Sequence, residues 1–274
     1  MKNALSIDLE DWFCVHNFAE VIPFSSWNAK DLRVERSTHR LLELLERHKV
    51  KATFFVLGWI AERVPDLVKK IAANGHEIAS HGYGHLLAKT LTPATFEKDL
   101  ASSLEAIARC VPNKVIGFRA PSFSLDRTTL WVFDVLTKYG IRYDSSIFPI
   151  SFHPDYGVRD GVLSIYNVND SLTEFPMSCF KFMGLTIPCC GGGYFRIFPY
   201  GLTRTGIRKC NAENRPAVFY LHPWEIDPDQ PRITNIPRLK RFRHYFNIRK
   251  TEKRLERLLS DFEFGTMAEV LGIR

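Results

Sequence analysis

Missing from this sequence are any apolar run of membrane-spanning length, any C-x-x-C pair, any internal repeat and any low-complexity stretch. The opening MKNALSIDLEDW reaches acidic residues after a short apolar run, without the longer apolar core of a secretory signal. Six cysteines, at 14, 110, 179, 189, 190 and 210, are too few for a disulfide scaffold and favour a reducing compartment. A cytoplasmic location is therefore expected. The formal net charge of +7 predicts attraction to phosphate-rich or anionic surfaces, but no nucleic-acid-binding motif accompanies it, so no nucleic-acid partner is expected.

With 274 residues, 45% of them hydrophobic, the chain can bury one barrel-sized core. From residue 4 to about 145, short β-like runs alternate with helical patterns, the signature of repeated βα units. ALSID reads as a first strand, and STHRLLELLERHKV as a helix with Ser37 as N-cap and leucines 41, 42, 44 and 45 on its apolar face. KATFFVLG is a buried strand, PDLVKKIAANG a short helix running from a proline to Gly75, and HEIAS a further strand. TPATFEKDLASSLEAIARC is a helix capped by Thr92 with Pro93 at its first position; KVIGF, the helical DRTTLWVFDVLTKYG and the strand IRYD follow. Residues 146–216, rich in Gly, Pro and aromatics, read as an embedded insertion of loops and short strands between barrel segments 1–145 and 217–274. AVFYLHPWE restores a buried strand ending at His222, and TEKRLERLLSDFEFGTMAEVLG reads as helix, short strand, helix. One domain over 1–274 is the simplest organisation.

Asp8, His81, Arg119, Asp144 and His222 each fall at or just past the C-terminal end of a separate predicted strand. In a βα barrel those ends converge on one face, where the site is built. In SHGYGH, His81 and His85 lie four apart and can present two imidazoles from a helical turn to one zinc-like ion, with a carboxylate from elsewhere as third ligand. Without that carboxylate they would be two hydrogen-bonded loop histidines. SIDLEDW crowds Asp8, Glu10 and Asp11 into four residues, a self-repelling set that a cation relieves, or else a solvated acidic turn. Asp8 ends an apolar strand and is expected to face the pocket as general base; Glu10 is the first choice of metal ligand and Asp11 the alternative. Arg119, in GFRAPSF, precedes a proline that fixes the turn and is placed to hold Asp8 by a charge-assisted contact. Asp144 is open between a partner for Arg119 or another cation and a plain turn residue. His222 emerges from an apolar run where it can act as general acid.

In order along the chain, SIDLEDW, SHGYGH, FRAPS, YDSS and YLHP resemble the five motifs of the polysaccharide deacetylases, the NodB-homology group of carbohydrate esterases. GGGYFRIFPYG, LHPWEIDPDQPRI and TEKRLERLLSDFEFGTMAEVL are similar to the second half of a bacterial subgroup associated with exosortase and exopolysaccharide clusters. The resemblance implies an α/β fold, a distorted (β/α)7 barrel with a loop-rich insertion. It implies hydrolysis of the N-acetyl group of an amino sugar in a bacterial glycan or glycan precursor: exopolysaccharide, O-antigen or lipid-linked saccharide. It also implies one divalent ion, zinc, with cobalt, nickel and manganese as alternatives. In the expected reaction Asp8 takes a proton from water activated beside that ion, a backbone N–H near the Arg119 to Ser122 turn helps hold the oxyanion, and His222 protonates the departing amine. The chain departs from the family pattern in four places. Asp8-Leu9-Glu10-Asp11 stands where many members have two adjacent aspartates, Gly82 where many have Ser or Thr, and Leu86 where many have Pro. Ser122 replaces the usual aromatic of the third motif, which implies a wider or differently lined pocket.

Substrate contacts are expected from Pro121 and Ser122, and from Gly192, Gly193, Tyr194, Phe195 and Trp224, whose aromatics can wall a sugar ring or simply fill the core. One rival is an allantoinase-like amidohydrolase acting on a small amide; another is a glycan-binding module without catalysis, against which the intact Asp8, His81, His85 and His222 argue. Residues 232–257 carry ten Lys/Arg against two Glu. That run reads as a solvated helical face, or as a peripheral contact with the cytoplasmic face of the inner membrane, where a lipid-linked glycan would be met.

Overall fold

The computed structural model describes residues 1–150 and 157–273. β1 (Asn3–Leu9), β2 (Thr53–Val56), β3 (Glu77–Ser80), β4 (Gly117–Phe118) and β5 (Tyr143–Asp144) lie side by side in chain order, all parallel. β6 (Tyr166–Asn167) and β7 (Thr173–Glu174) extend the sheet, β7 parallel to β5 and β6 antiparallel at the edge. β8 (Cys179–Phe182) and β9 (Leu185–Pro188) form a separate hairpin. β10 (Val218–Leu221) pairs in parallel with the other side of β1, and β11 (Phe264–Gly265) pairs with its first residues. The seven parallel strands β1 to β5, β7 and β10 curl as a distorted (β/α)7 barrel; among the described residues no ladder joins β7 to β10, so the wall is open there.

Helices α1 (Val34–Arg47), α2 (Gly58–Arg63), α3 (Pro65–Ala73), α4 (Pro93–Ala108) and α5 (Val132–Lys138) alternate with the first strands. Later come α6 (Gly192–Ile197), α7 (Tyr200–Ala212), α8 (Arg238–Tyr245), α9 (Ile248–Asp261) and α10 (Met267–Leu271). Successive strand residues point to opposite faces. In β1, Leu5, Ile7 and Leu9 join the outer core beneath the helices, while Ala4 joins the inner cluster that fills the barrel with Phe55, Ala79, Tyr143, Val218 and Tyr220. Ser6 and Asp8 share Ala4's face, so the barrel interior turns polar towards the C-terminal ends of its strands.

Several local expectations need correction. Ser37 lies inside α1 and is buried; the helix starts three residues earlier, with Arg33 at the cap position and no side-chain cap of its own. The 146–216 stretch is more than loops and short strands, because it supplies barrel strand β7 and helices α6 and α7. The buried stripe of α7 is Tyr200, Thr203, Gly206, Ile207 and Cys210, helical in spacing but mostly small or polar, so it leaves no apolar periodicity to read. All six cysteines are buried and free, and among the described residues no helix is long and apolar enough to cross a membrane.

Candidate metal centre and active-site pocket

The inward face of each strand selects the site. His81 continues the face of Ala79, Arg119 that of Gly117, and His222 that of Val218 and Tyr220, while Asp8 and Glu10 continue that of Ala4 and Ser6. The ends of four strands, β1, β3, β4 and β10, therefore deliver these side chains to one point, with 9% exposure or less for Asp8, Glu10, His81, His85 and Arg119.

Glu10, His81 and His85 are the group whose ligand atoms converge: Oε1 of Glu10 lies 3.0 Å from Nε2 of His81 and 3.0 Å from Nε2 of His85. The other nitrogen of His81 faces the Arg119 carbonyl at 2.8 Å. A carbonyl only accepts, so Nδ1 carries the proton, and the Nε2 of the neutral ring turns a lone pair towards a carboxylate oxygen. Two electron-rich atoms in that position call for a cation between them, and two imidazoles with one carboxylate suit a divalent ion of the zinc type. These three residues fit the ion. Burial by itself would push the Glu10 carboxyl up, but His85, His222 and His81 facing it outweigh burial and hold it well below its usual range.

The two histidines do not ride on a helical turn. The loop after β3 bends at Gly82 (φ +73°), where a Cβ would meet the Asp99 carboxylate at 2.8 Å, and Asp99 accepts from the N–H groups of Tyr83 and Gly84 at 2.8 and 3.3 Å. His85 itself adopts a left-handed conformation (φ +56°), an uncommon backbone state that turns its ring back to Glu10. Asp99, which shapes this loop from α4, was not picked out by its motif.

Beside the cluster, Arg119 donates to Asp8 Oδ1 at 2.7 Å and to Ser6 Oγ at 2.8 Å; its other contacts include the Ser145 carbonyl at 3.0 Å. His222 Nε2 stands 3.9 Å from both Asp8 Oδ2 and Glu10 Oε1. Its Nδ1 meets Glu225 Oε1 at 2.8 Å, and Glu225 is held in turn by buried Arg196 at 2.6 Å. Burial lowers the His222 pKa, yet Glu10, Glu225 and Asp8 together raise it to about 9. Glu225 and Arg196 escaped the sequence reading, although the three-residue spacing in HPWE was the signal for the first.

Two of the expected metal and catalytic residues lie elsewhere. Asp11 has the opposite parity to Glu10 and points away from the ion site: it accepts from the N–H groups of Trp12, Arg33 and Val34 at 2.7, 2.7 and 2.9 Å, capping α1 from a distance. Burial, partly offset by those bonds, raises its pKa to about 6. Asp11→Ala is expected to cost about 2 kcal/mol of stability, from buried N–H groups left unpaired, with bound metal unchanged; loss of the metal would make Asp11 a ligand after all.

Asp144 likewise sits one residue off the face of Tyr143. It accepts from Ser146 Oγ at 2.6 Å, and Ser146 accepts from the Ala120 N–H at 2.7 Å, so Asp144 props the turn after Arg119 without entering the pocket or pairing with Arg119. Oε2 of Glu174 is buried with no donor, beside Asp144; burial and the Asp144 charge push Glu174 well above its usual range. A proton shared by the two carboxyls satisfies both. The folded state then holds that proton to higher pH than the unfolded chain does. Its stabilisation is full below the ordinary carboxylate range and is lost as pH rises through the raised folded value. In thermal melts from pH 5 upward, the wild type is expected to lose stability more steeply than Glu174→Gln; parallel curves would rule out the shared proton.

A cavity of about 240 Å3 opens over the cluster. Ser122, Gly192, Gly193, Tyr194 and Trp224 line it as expected, whereas Pro121 does not and Phe195 is packed in the core against Phe219. Gly191 enters this wall at φ +106°, where a Cβ would strike the Tyr220 carbonyl at 2.1 Å.

Residues 27–143 match the polysaccharide deacetylase family model, and residues 145–272 match a model described as a domain of unknown function, DUF3473. A peptidoglycan deacetylase of Helicobacter pylori is 33% identical over 122 residues, covering 44% of this chain and 40% of that one. A chitooligosaccharide deacetylase of Rhizobium leguminosarum bv. trifolii is 32% identical over 130 residues, 47% of this chain and 56% of the relative. The chain thus spans about half the length of these relatives. Among solved structures, a protein assigned as a polysaccharide deacetylase from Mycobacterium smegmatis superposes with a TM-score of 0.65 at 21% identity, over 99% of this chain and 90% of that one. A CE4 family pseudoenzyme from Bacillus anthracis does so with a TM-score of 0.52 at 16% identity, over 98% and 65%, so the fold by itself does not guarantee catalysis. Residues 27–143 thus carry a polysaccharide deacetylase domain, and residues 145–272 carry the domain of unknown function DUF3473.

Proposed function

We propose that this chain is a metal-dependent hydrolase that removes the N-acetyl group from an amino sugar of a bacterial glycan or glycan precursor. The observation that carries the reading is the convergence of Glu10, His81 and His85 on one point, with Asp8 and His222 alongside at the floor of one pocket. The names of the curated relatives, deacetylases of peptidoglycan and of chitooligosaccharide, supply the substrate class.

Glu10, His81 and His85 would hold a divalent ion, which supplies Lewis acidity towards the acetamide carbonyl and a water molecule. Asp8, aimed by Arg119, takes the proton of the attacking water. The Ser122 N–H lacks a partner among the described residues, and Ser122 lines the pocket in a left-handed conformation (φ +53°). That N–H donates to the developing oxyanion. His222, oriented by Glu225, protonates the leaving amine, so the C–N bond breaks to give acetate and a free amino sugar. Trp224 and Tyr194 flank the ring.

Acetate release from N-acetylated oligosaccharides by the purified, metal-reconstituted chain tests this. Release from chitooligosaccharide or peptidoglycan fragments supports it; turnover of allantoin with none of acetylated glycans favours the small-amide rival. The proposed location is the cytoplasmic face of the inner membrane, supported by exposed Leu239 and Phe242 among the arginines of α8. Co-sedimentation with phosphatidylglycerol vesicles is expected to fall with added salt, and binding indifferent to salt and to charge reversal at Arg238 and Arg241 would sink this part.

A further inference from the structure

The charges around the pocket do not balance. Asp8 is answered by Arg119 and Arg196 by Glu225, while Glu10 faces His81 and His85 at the ion site. Arg243, in the last turn of α8, also lines the cavity and is half-buried, and among the described residues it makes no hydrogen bond or ion pair.

Its position is fixed by its neighbour. His244 stacks flat on Trp224, with ring centroids 4.2 Å apart and planes at 11°, and its Nε2 meets Gln230 Oε1 at 2.6 Å. Arg196 donates to the His244 carbonyl at 2.7 Å. This end of α8 is thus fastened to the pocket wall, and Arg243 is presented to the cavity from an anchored helix. A guanidinium has five donors, no acceptor and a permanent charge, and its planar fork matches two oxygens of a carboxylate or phosphate. In a partly dehydrated wall such a charge is best satisfied by an anionic oxygen group on the ligand.

We propose that Arg243 forms an anion-recognition subsite, and that the saccharide taken by this pocket is acidic, carrying a carboxylate or a phosphate near the ring that bears the acetamido group. This rests on the deacetylase reading for the identity of the sugar, though not for the anion preference itself.

Equilibrium binding separates the two. Calorimetry on the metal-reconstituted full chain would compare N-acetylglucosamine, N-acetylglucosamine 1-phosphate and N-acetylmuramic acid. At least one acidic sugar is expected to bind about tenfold or more tightly than the neutral one, with the ratio shrinking as salt is added. In Arg243→Gln the ratio is expected to collapse towards one, and Arg243→Lys, which keeps the charge without the fork, should retain part of it. Preference for the phosphate alone identifies a phosphorylated saccharide; preference for the lactyl carboxylate alone identifies a carboxylated one. Equal binding of all three, no measurable binding of either acidic sugar, or a preference that survives in folded Arg243→Gln overturns the subsite. An Arg243-dependent preference with no acetate released from any glycan keeps the subsite and removes the deacetylase reading. Acetate release with no preference does the reverse.

Discussion

In the His81→Ala, His85→Ala double variant, bound divalent metal is expected to drop from near one equivalent to background, and acetate release to fall by on the order of 10³-fold or more. The expectation follows from the way the three ligands are held. Nε2 of both histidines faces the same Glu10 oxygen, and His81 is locked by donating Nδ1–H to the Arg119 carbonyl, so both rings are set with Nε2 towards the ion site. Glu10 alone would be a buried carboxylate without its two principal partners, too poor a site to retain an ion through purification. Elemental analysis of wild type and variant, beside near-ultraviolet circular dichroism to show that both are folded, decides the matter. A folded wild type that takes up no metal on reconstitution would defeat the hydrolase mechanism and favour a glycan-binding module; a double variant that keeps its metal would place the ion elsewhere.

The sequence disclosed more of this site than a static motif search would suggest, and its failures share a cause. Asp8, His81, Arg119 and His222 could be found because each ends an apolar strand, and strand ends converge. Asp144 ends a strand too, yet it lies one residue out of phase with Tyr143, which fills the barrel. The same two-residue period separates Glu10 from Asp11. Counting phase along β1 from Asp8 would have separated Glu10 from Asp11 in the sequence itself. Other features were out of reach. Helix α7 buries a stripe of small and polar residues, and Asp99 and Arg196 act from distant elements through contacts that no local spacing encodes. Arg243, unpaired among the described residues, could be recognised only once the partners of Asp8, Glu10 and Arg196 were known.

Arg119 should be the most costly single residue to truncate. It is fully buried, pairs with Asp8 and lies over the Phe55 ring at 4.1 Å, so the guanidinium is held by charge, hydrogen bonds and an aromatic face together. Arg119→Met roughly keeps the volume but leaves Asp8 buried with only His222, 3.9 Å away, as counter-charge, and is expected to cost about 3–5 kcal/mol in urea unfolding. Asp8→Asn should cost less, because an amide oxygen still accepts from the guanidinium. If the pair is coupled as its 2.7 Å contact implies, the double variant will be more stable than the sum of the single losses by about 1–3 kcal/mol. Activity should behave differently: each single variant loses most of it and the double variant recovers none, since Asp8 supplies the base and Arg119 only aims it. Simple additivity of the stabilities would mean that Arg119 is held by Ser6 and Ser145 and owes little to Asp8, while recovered activity in the double variant would remove Asp8 from the chemistry.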